Sequence, residues 1–419
     1  MRPFKLGISR NYLHTPSSLV RGWLRVTLAI GVTAVALLAL GTPFARTQTP
    51  PAPRRSEILR ALPITKFYDT PSPLPAGKPG ELIRSEEFDR YELPVSVSAL
   101  RILYHSRSAT GGDVAASGVV LIPSEAKPPA GGWPILAWAH GTTGVARPCA
   151  PSLTRNVGHG PFLSMYVNLG YAVVATDYTG LGTDFRNAFL DGPSNATDVI
   201  ASISAARAAV PQLGARWIVM GEAEGGLTAV AVAEKENEIH DSGYLGAIAI
   251  SDLAGAKEIY ERSTHDSSSL MLTSLAFGIK TVYPQFQETE ILTEKGLALY
   301  RHVDQMCSQA RTTPELSPAE MVKPGWEKNT LVREYFVRNN IGQMRAYRPI
   351  LVISGDADQA ILAAVTAPAI ARMCKQGDRV QWERYPDLDP GNVIGDSVRD
   401  QIGWIEARFA GRPTMTNCP

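Results

Sequence analysis

The segment Gly221-Glu222-Ala223-Glu224-Gly225-Gly226 has the spacing of a catalytic turn but lacks the atom that would react. Glycines two residues before and two after a central position let a strand turn sharply into a helix, which thrusts the central side chain outward as a nucleophile. A serine there would attack an acyl carbon once a histidine had taken its proton. Ala223 offers only a methyl group. The partners of such chemistry can still be sought. The run 137–144 (AWAHGTTG) ends an apolar stretch in small polar residues, a loop suited to stabilising an oxyanion. Its Thr142 and the backbone N–H of Glu224 are the expected donors. His140 is expected to shape this loop rather than to act as a base. Downstream, the segment 352–361 (VISGDADQAI) supplies two acids, Asp356 and Asp358. A histidine should come after the acid, but the last histidine of the chain is His302. Carboxylates are plentiful around this set: Glu222, Glu224, Asp358, Asp387 and Asp389. Brought together they would hold a cation or share a proton. The expectation is that they are solvated loop charges and that no metal is bound.

These residues need a scaffold, and the hydrophobic pattern supplies one. Short apolar runs rich in β-branched residues recur at 99–106, 117–123, 134–140, 171–176, 216–221, 246–251 and 349–354. Most read as strands buried on both faces, the first two as an opening pair. Helical spacing lies between them. Ile200, Ile203, Ala206 and Val210 recur on one face of a helix that Thr197 or Asp198 can cap. Val398, Ile402, Ile405 and Phe409 line one face of a last helix. Strand and helix in alternation predict an α/β fold with a doubly wound, mostly parallel sheet. From about 254 to 347 no convincing strand occurs, although 267–283 is unusually apolar. A helical insertion over the carboxyl ends of the strands is expected, the edge at which α/β sheets bind ligands.

The chain has 419 residues, 44% hydrophobic and 19% charged, with a formal net charge of +1. That balance supports a large core and gives no basis for a nucleic-acid partner. Arg2, Lys5, Arg10, Arg21 and Arg25 precede an uncharged apolar run at 26–40, and the first acidic residue is Glu57. The run is shorter than the ~20 residues of a membrane-spanning helix. Residues 1–45 therefore read as an export signal, followed by a Pro-rich linker at 46–65 and one domain over 66–419. Losing the five basic residues would take the net charge from +1 to about −4. The competing reading is an uncleaved anchor, the one route by which the chain would touch a membrane. Four cysteines, Cys149, Cys307, Cys374 and Cys418, suggest two disulfides in an exported chain, with three pairings open.

Several segments together resemble the secretory lipase family of α/β-hydrolases. WAHGTTGVARPCAPS (138–152) looks like its oxyanion-side segment, and YAVVATDYTGLGT (171–183) like its next strand and loop. GEAEGG stands where the family has G-x-S-x-G-G, SGDADQAI carries Asp358 at the place of the acid, and 384–418 looks like the C-terminal segment. The resemblance implies a secreted serine hydrolase of carboxylic esters, often triacylglycerols, with a helical lid and no cofactor. It also implies the pairings Cys149–Cys307 and Cys374–Cys418. It places the nucleophile position at Ala223 and the histidine position at or beside Pro390, so that only the acid Asp358 is retained. The expected result is an inactive or impaired relative that binds a lipid or a partner. The alternative is an esterase with a rebuilt constellation, such as a water activated by a carboxylate near Glu224.

Overall fold

Strand alternation sets the layers. In β4 (Trp133–Ala139), Ile135, Ala137 and Ala139 face one core, and Leu136 and Trp138 face the other. This is the two-residue side-chain period of a strand. In a computed structural model of the chain the same division runs through β5 (Ala172–Thr176), β6 (Leu213–Glu222), β7 (Tyr244–Ile250) and β8 (Ile350–Gly355). The structure describes residues 61–251, 253, 257, 260, 269–308, 316–357, 365–389 and 391–418. The expected export signal, residues 46–60 of the linker, and the positions Asp358 and Pro390 lie outside the described residues.

Nine strands form one sheet in the order β1-β2-β3-β5-β4-β6-β7-β8-β9. β1 (Leu82–Glu87), β2 (Val97–Arg107), β3 (Asp113–Pro123) and β5 pair antiparallel. From β5 through β4 to β9 (Val380–Tyr385) every pairing is parallel. The mostly parallel, doubly wound sheet expected from the sequence is present. The edge strands β1 and β9 were not legible, because Leu-Ile-Arg-Ser-Glu-Glu and Val-Gln-Trp-Glu-Arg-Tyr carry charges on a half-exposed edge and no apolar run.

Helices cover both faces. α1 (Gly160–Asn168) contributes Leu163, Tyr166 and Val167 to one core. α2 (Gly192–Ala209) and α3 (Glu224–Ile239) fill the other. Two expectations need correction. α2 starts before Thr197 and Asp198: its cap is Asp191, whose carboxylate accepts the Ser194 N–H, and Pro193 sits in the first turn. Asp198 is instead buried inside, accepting from the Thr179 N–H at 2.7 Å and the Thr179 hydroxyl at 2.8 Å. In α8 (Val398–Phe409) the buried stripe is centred on Gln401, Trp404, Ile405 and Arg408, while Ile402 and Phe409 of the expected apolar face pack half-buried beside it. The stripe is rotated because Trp404 fills more of the core, while Gln401 is held by the Tyr166 hydroxyl and the Ile394 carbonyl.

Between β7 and β8 the described residues form α4 (Ser269–Val282), α5 (Glu294–Tyr300) and α6 (Thr330–Arg338), with no strand of the sheet among them. The apolarity of 267–283 has a direct cause. Leu272, Leu275, Ala276, Phe277 and Ile279 of α4 join the core that holds Val219 and Val230. A helix buried over most of its circumference loses its polar face. α7 (Ala367–Lys375) flanks β9, and the disulfide Cys374–Cys418 clips the C-terminus to it with a Cα–Cα distance of 5.6 Å.

One buried carboxyl on α3 makes stability depend on pH. Glu234 accepts the Met344 N–H at 3.0 Å, and burial pushes its carboxyl up to about 7. A folded value above the unfolded one gives stability that is complete below about pH 4.5 and is lost as pH rises through about 7. Glu236, up to about 7, and Asp198, up to about 6, add in the same direction. Glu234→Gln keeps an acceptor for Met344 and is expected to remove up to about 3 kcal/mol of the decline between pH 5 and 8. Urea midpoints across that range check it, and an unchanged slope would count against it.

Candidate functional site

β4 and β6 are neighbours at the point where the strand order reverses, β5 lying outside β4 and β7 outside β6. The crevice beyond their carboxyl ends is the usual ligand position in such a sheet. Two loops meet there. After β6, Ala223 takes φ 52° and ψ −118° as it hands the chain to α3. A residue with a Cβ pays on the order of 1–3 kcal/mol for such a backbone, so its neighbours must hold it. The Ala223 N–H donates to the Ile250 carbonyl at 3.1 Å, and its own carbonyl accepts from Gly226 at 2.8 Å and Leu227 at 3.2 Å. Close approach explains the glycines: a Cβ on Gly221 would lie 2.1 Å from the Gly225 carbonyl oxygen, and one on Gly225 would lie 1.9 Å from that of Ala139. The strand, strained turn and helix have the shape of a nucleophile elbow with a methyl group at the tip.

The loop after β4 faces this tip. A Cβ built on Gly141 would lie 3.6 Å from the Ala223 Cβ and 2.9 Å from Glu222 Oε2. Thr142 and Glu224 meet through their side chains. The Thr142 hydroxyl donates to Glu224 Oε2 at 3.0 Å. Glu224 Oε1 accepts the Leu190 N–H at 3.1 Å and the Asn195 amide at 3.0 Å. With three protein donors on two oxygens and 5% exposure, this carboxylate is an internal tie. The Glu224 N–H, at the first position of α3, has no acceptor within the helix. Leu190 and Asn195 were not foreseen, since nothing in their local sequence links them to a residue about thirty positions away.

The tie continues into the helices between β7 and β8. Asp191, next to Leu190, is fully buried and takes a two-pronged bond from Arg338, Nε at 2.6 Å and Nη2 at 2.9 Å. The Asn339 side-chain oxygen accepts the Gly192 N–H at 2.9 Å, and the Tyr335 hydroxyl donates to the carbonyls of Ala188, at 3.0 Å, and Phe189. α6 thus grips the loop that grips Glu224.

His140 has a structural place, in line with the expectation that it shapes the loop. It is 3% exposed, stacks on Tyr178, and has its ring nitrogens 2.6 Å from the Gly141 carbonyl and 3.1 Å from that of Asp177. Asp356 is also structural: buried at the end of β8, it accepts from Ser354 at 2.7 Å and Arg384 at 2.5 Å. Asp387 and Asp389 are exposed, and Asp389 caps the Gly391 and Asn392 N–H groups. Among the described residues no group of three His, Cys, Asp or Glu side chains lies close enough to hold a metal ion.

The loop after β4 is also fastened by the segment at Cys307 and Ser308. Cys149 pairs with Cys307 at a Cα–Cα distance of 5.3 Å, and Gly144 bridges Cys307. The Ser308 N–H donates to the Thr143 carbonyl at 2.9 Å and its hydroxyl to the Thr142 carbonyl at 3.0 Å. Both disulfides follow the pairing that the resemblance implied, and such cross-links belong to an oxidising compartment.

With this geometry in place, residues 159–417 match the profile of the family described as secretory lipase. The chain belongs to the secretory lipase family. No curated protein sequence matches it significantly. Among solved structures, lipase A of Candida antarctica in its closed state is 17% identical with a TM-score of 0.70, covering 85% of this chain and 89% of that one. The rice cell wall degrading esterase LipA of Xanthomonas oryzae is 20% identical with a TM-score of 0.62, covering 79% and 96%. At these identities the likeness shows the fold, which is that of the α/β-hydrolases. This secretory lipase relative is therefore lipase-like in family and architecture, with Ala223 at the tip of its elbow.

Proposed function

We propose that this secretory lipase family member does not hydrolyse esters and acts by binding a lipid or ester-class small molecule in the crevice over Ala223. The observation that carries the reading is a strained elbow, complete in backbone and glycines, that presents a methyl group where acyl transfer needs an oxygen. The second deficit supports it: no histidine follows Asp358, the acid position, and Pro390 stands at the histidine position. Losing the serine or the histidine of a comparable triad costs on the order of 10⁶ in turnover. A mechanism rebuilt on Glu224 draws no support from its geometry, since three protein donors already occupy its oxygens. Thr142 and the Glu224 N–H remain the groups that line the former oxyanion position. The helices between β7 and β8 roof the crevice, and residues 1–45 export the chain and are removed.

Labelling with a serine-directed phosphonate, beside hydrolysis of p-nitrophenyl butyrate, tests this. The expected result is no labelled protein and no rate above buffer. Phosphonate-sensitive turnover by pure protein would refute it.

A further inference from the structure

Resting on that reading, we infer that Glu224 sets the ligand class: it turns the crevice from a site for oxyanions into one for neutral, hydroxyl-bearing amphiphiles such as alkanols. The argument starts from proton count. A threonine hydroxyl has one proton to give and lone pairs with which to accept. The Thr142 proton goes to Glu224 Oε2 at 3.0 Å. What Thr142 Oγ then offers to its surroundings is acceptor capacity alone. Thr142 is half-buried and follows Gly141, whose Cβ position is 3.6 Å from the Ala223 Cβ, and its hydroxyl bonds the residue next to Ala223, so the loop that carries this acceptor borders the elbow tip.

The bond fixes the direction of that proton. Glu224 Oε1 is occupied by the Leu190 N–H and the Asn195 amide, which orient the carboxylate and leave Oε2 for Thr142. An anion bound at the elbow would meet an acceptor in place of a donor, and a buried like charge behind it. Both effects are strong where water is excluded. An alcohol meets the reverse: its O–H can donate to Thr142 Oγ, and its oxygen can accept from the Glu224 N–H at the start of α3. Glutamine at this position would undo the arrangement with almost no change of shape. Its carbonyl oxygen would keep Leu190 and Asn195, its amide would donate to Thr142 Oγ, and the threonine proton would be released toward the crevice.

The test is calorimetric titration of the whole protein with octan-1-ol and with octanoate at pH 8. The wild-type protein is expected to bind the alcohol at least about tenfold more tightly, the effect of one such hydrogen bond exchanged. Glu224→Gln is expected to shift the ratio by at least about tenfold toward octanoate, with an unchanged urea midpoint. A second variant guards against misfolding. Thr142→Val removes the acceptor and is expected to weaken octan-1-ol binding about five- to tenfold while leaving octanoate binding no weaker than in the wild-type protein. Equal or stronger binding of octanoate by wild-type protein, or a ratio that neither variant moves, would overturn the role of Glu224 while leaving a lipid-binding protein. Binding of neither probe would overturn the proposed function along with it.

Discussion

Ala223→Ser alone is expected to leave p-nitrophenyl butyrate hydrolysis within a few fold of the wild-type background, about 10⁶ below a working triad. A serine oxygen would be well placed, because the backbone at 223 already has the strained shape that lifts a side chain from the turn. It would still hold its proton. In the neighbouring loop His140 is locked against two backbone carbonyls, and no histidine follows Asp358 in the chain. Knocking out the histidine of a comparable triad costs nearly as much as removing all three members, so a serine without it gains almost nothing. Ala223→Ser combined with Pro390→His supplies both groups and is expected to raise the rate at least about 10²-fold over the single variant, with new phosphonate labelling. Measured kcat/KM for the three proteins decides the matter. A large gain from serine alone would mean that an unrecognised base serves the site.

Replacing Cys149 and Cys307 with serine is expected to destabilise the protein by about 2–5 kcal/mol. The cross-link spans 158 residues, a length for which the loss of chain entropy in the unfolded state is near the top of that range. It joins the loop after β4 to the segment that bridges Gly144 and bonds Thr142 and Thr143. The Cys374–Cys418 link spans only 44 residues, so its removal is expected to cost about 1 kcal/mol less. Urea midpoints of the two double-serine variants under oxidising conditions give the comparison. A Cys149/Cys307 variant within about 0.5 kcal/mol of wild type would show that the link does not bear on stability.

How much of this was legible follows from the range of each interaction. The central strands were legible because burial on both faces forces continuous apolar runs, as in Trp217–Gly221 and Ile350–Ser354. The edge strands were not, since one exposed side permits the charges of Arg84, Glu86 and Glu383. The α2 cap was misplaced by six residues because Asp191, Thr197 and Asp198 are all good capping types; Pro193 and the bond to Ser194 select the first. At the site, the Gly221–Gly226 spacing was visible, and the lack of a late histidine needed only counting. The destination of the Glu224 side chain was not, because its three donors come from two distant segments, Thr142 from one and Leu190 and Asn195 from the other.

The sequence by itself determined the α/β alternation, the position of the sharp turn, the alanine at its centre and the absence of any histidine after His302, because each depends on local spacing or on residue identity. Which cysteines to join came from family likeness. The tertiary structure decided that Thr142 gives its proton to Glu224, that Arg338 holds Asp191 from 147 positions away, and that α4 and α6 share a core with the sheet. Those facts depend on where the chain returns in space, and a buried polar group is satisfied by whichever partner the packing brings within about 3 Å.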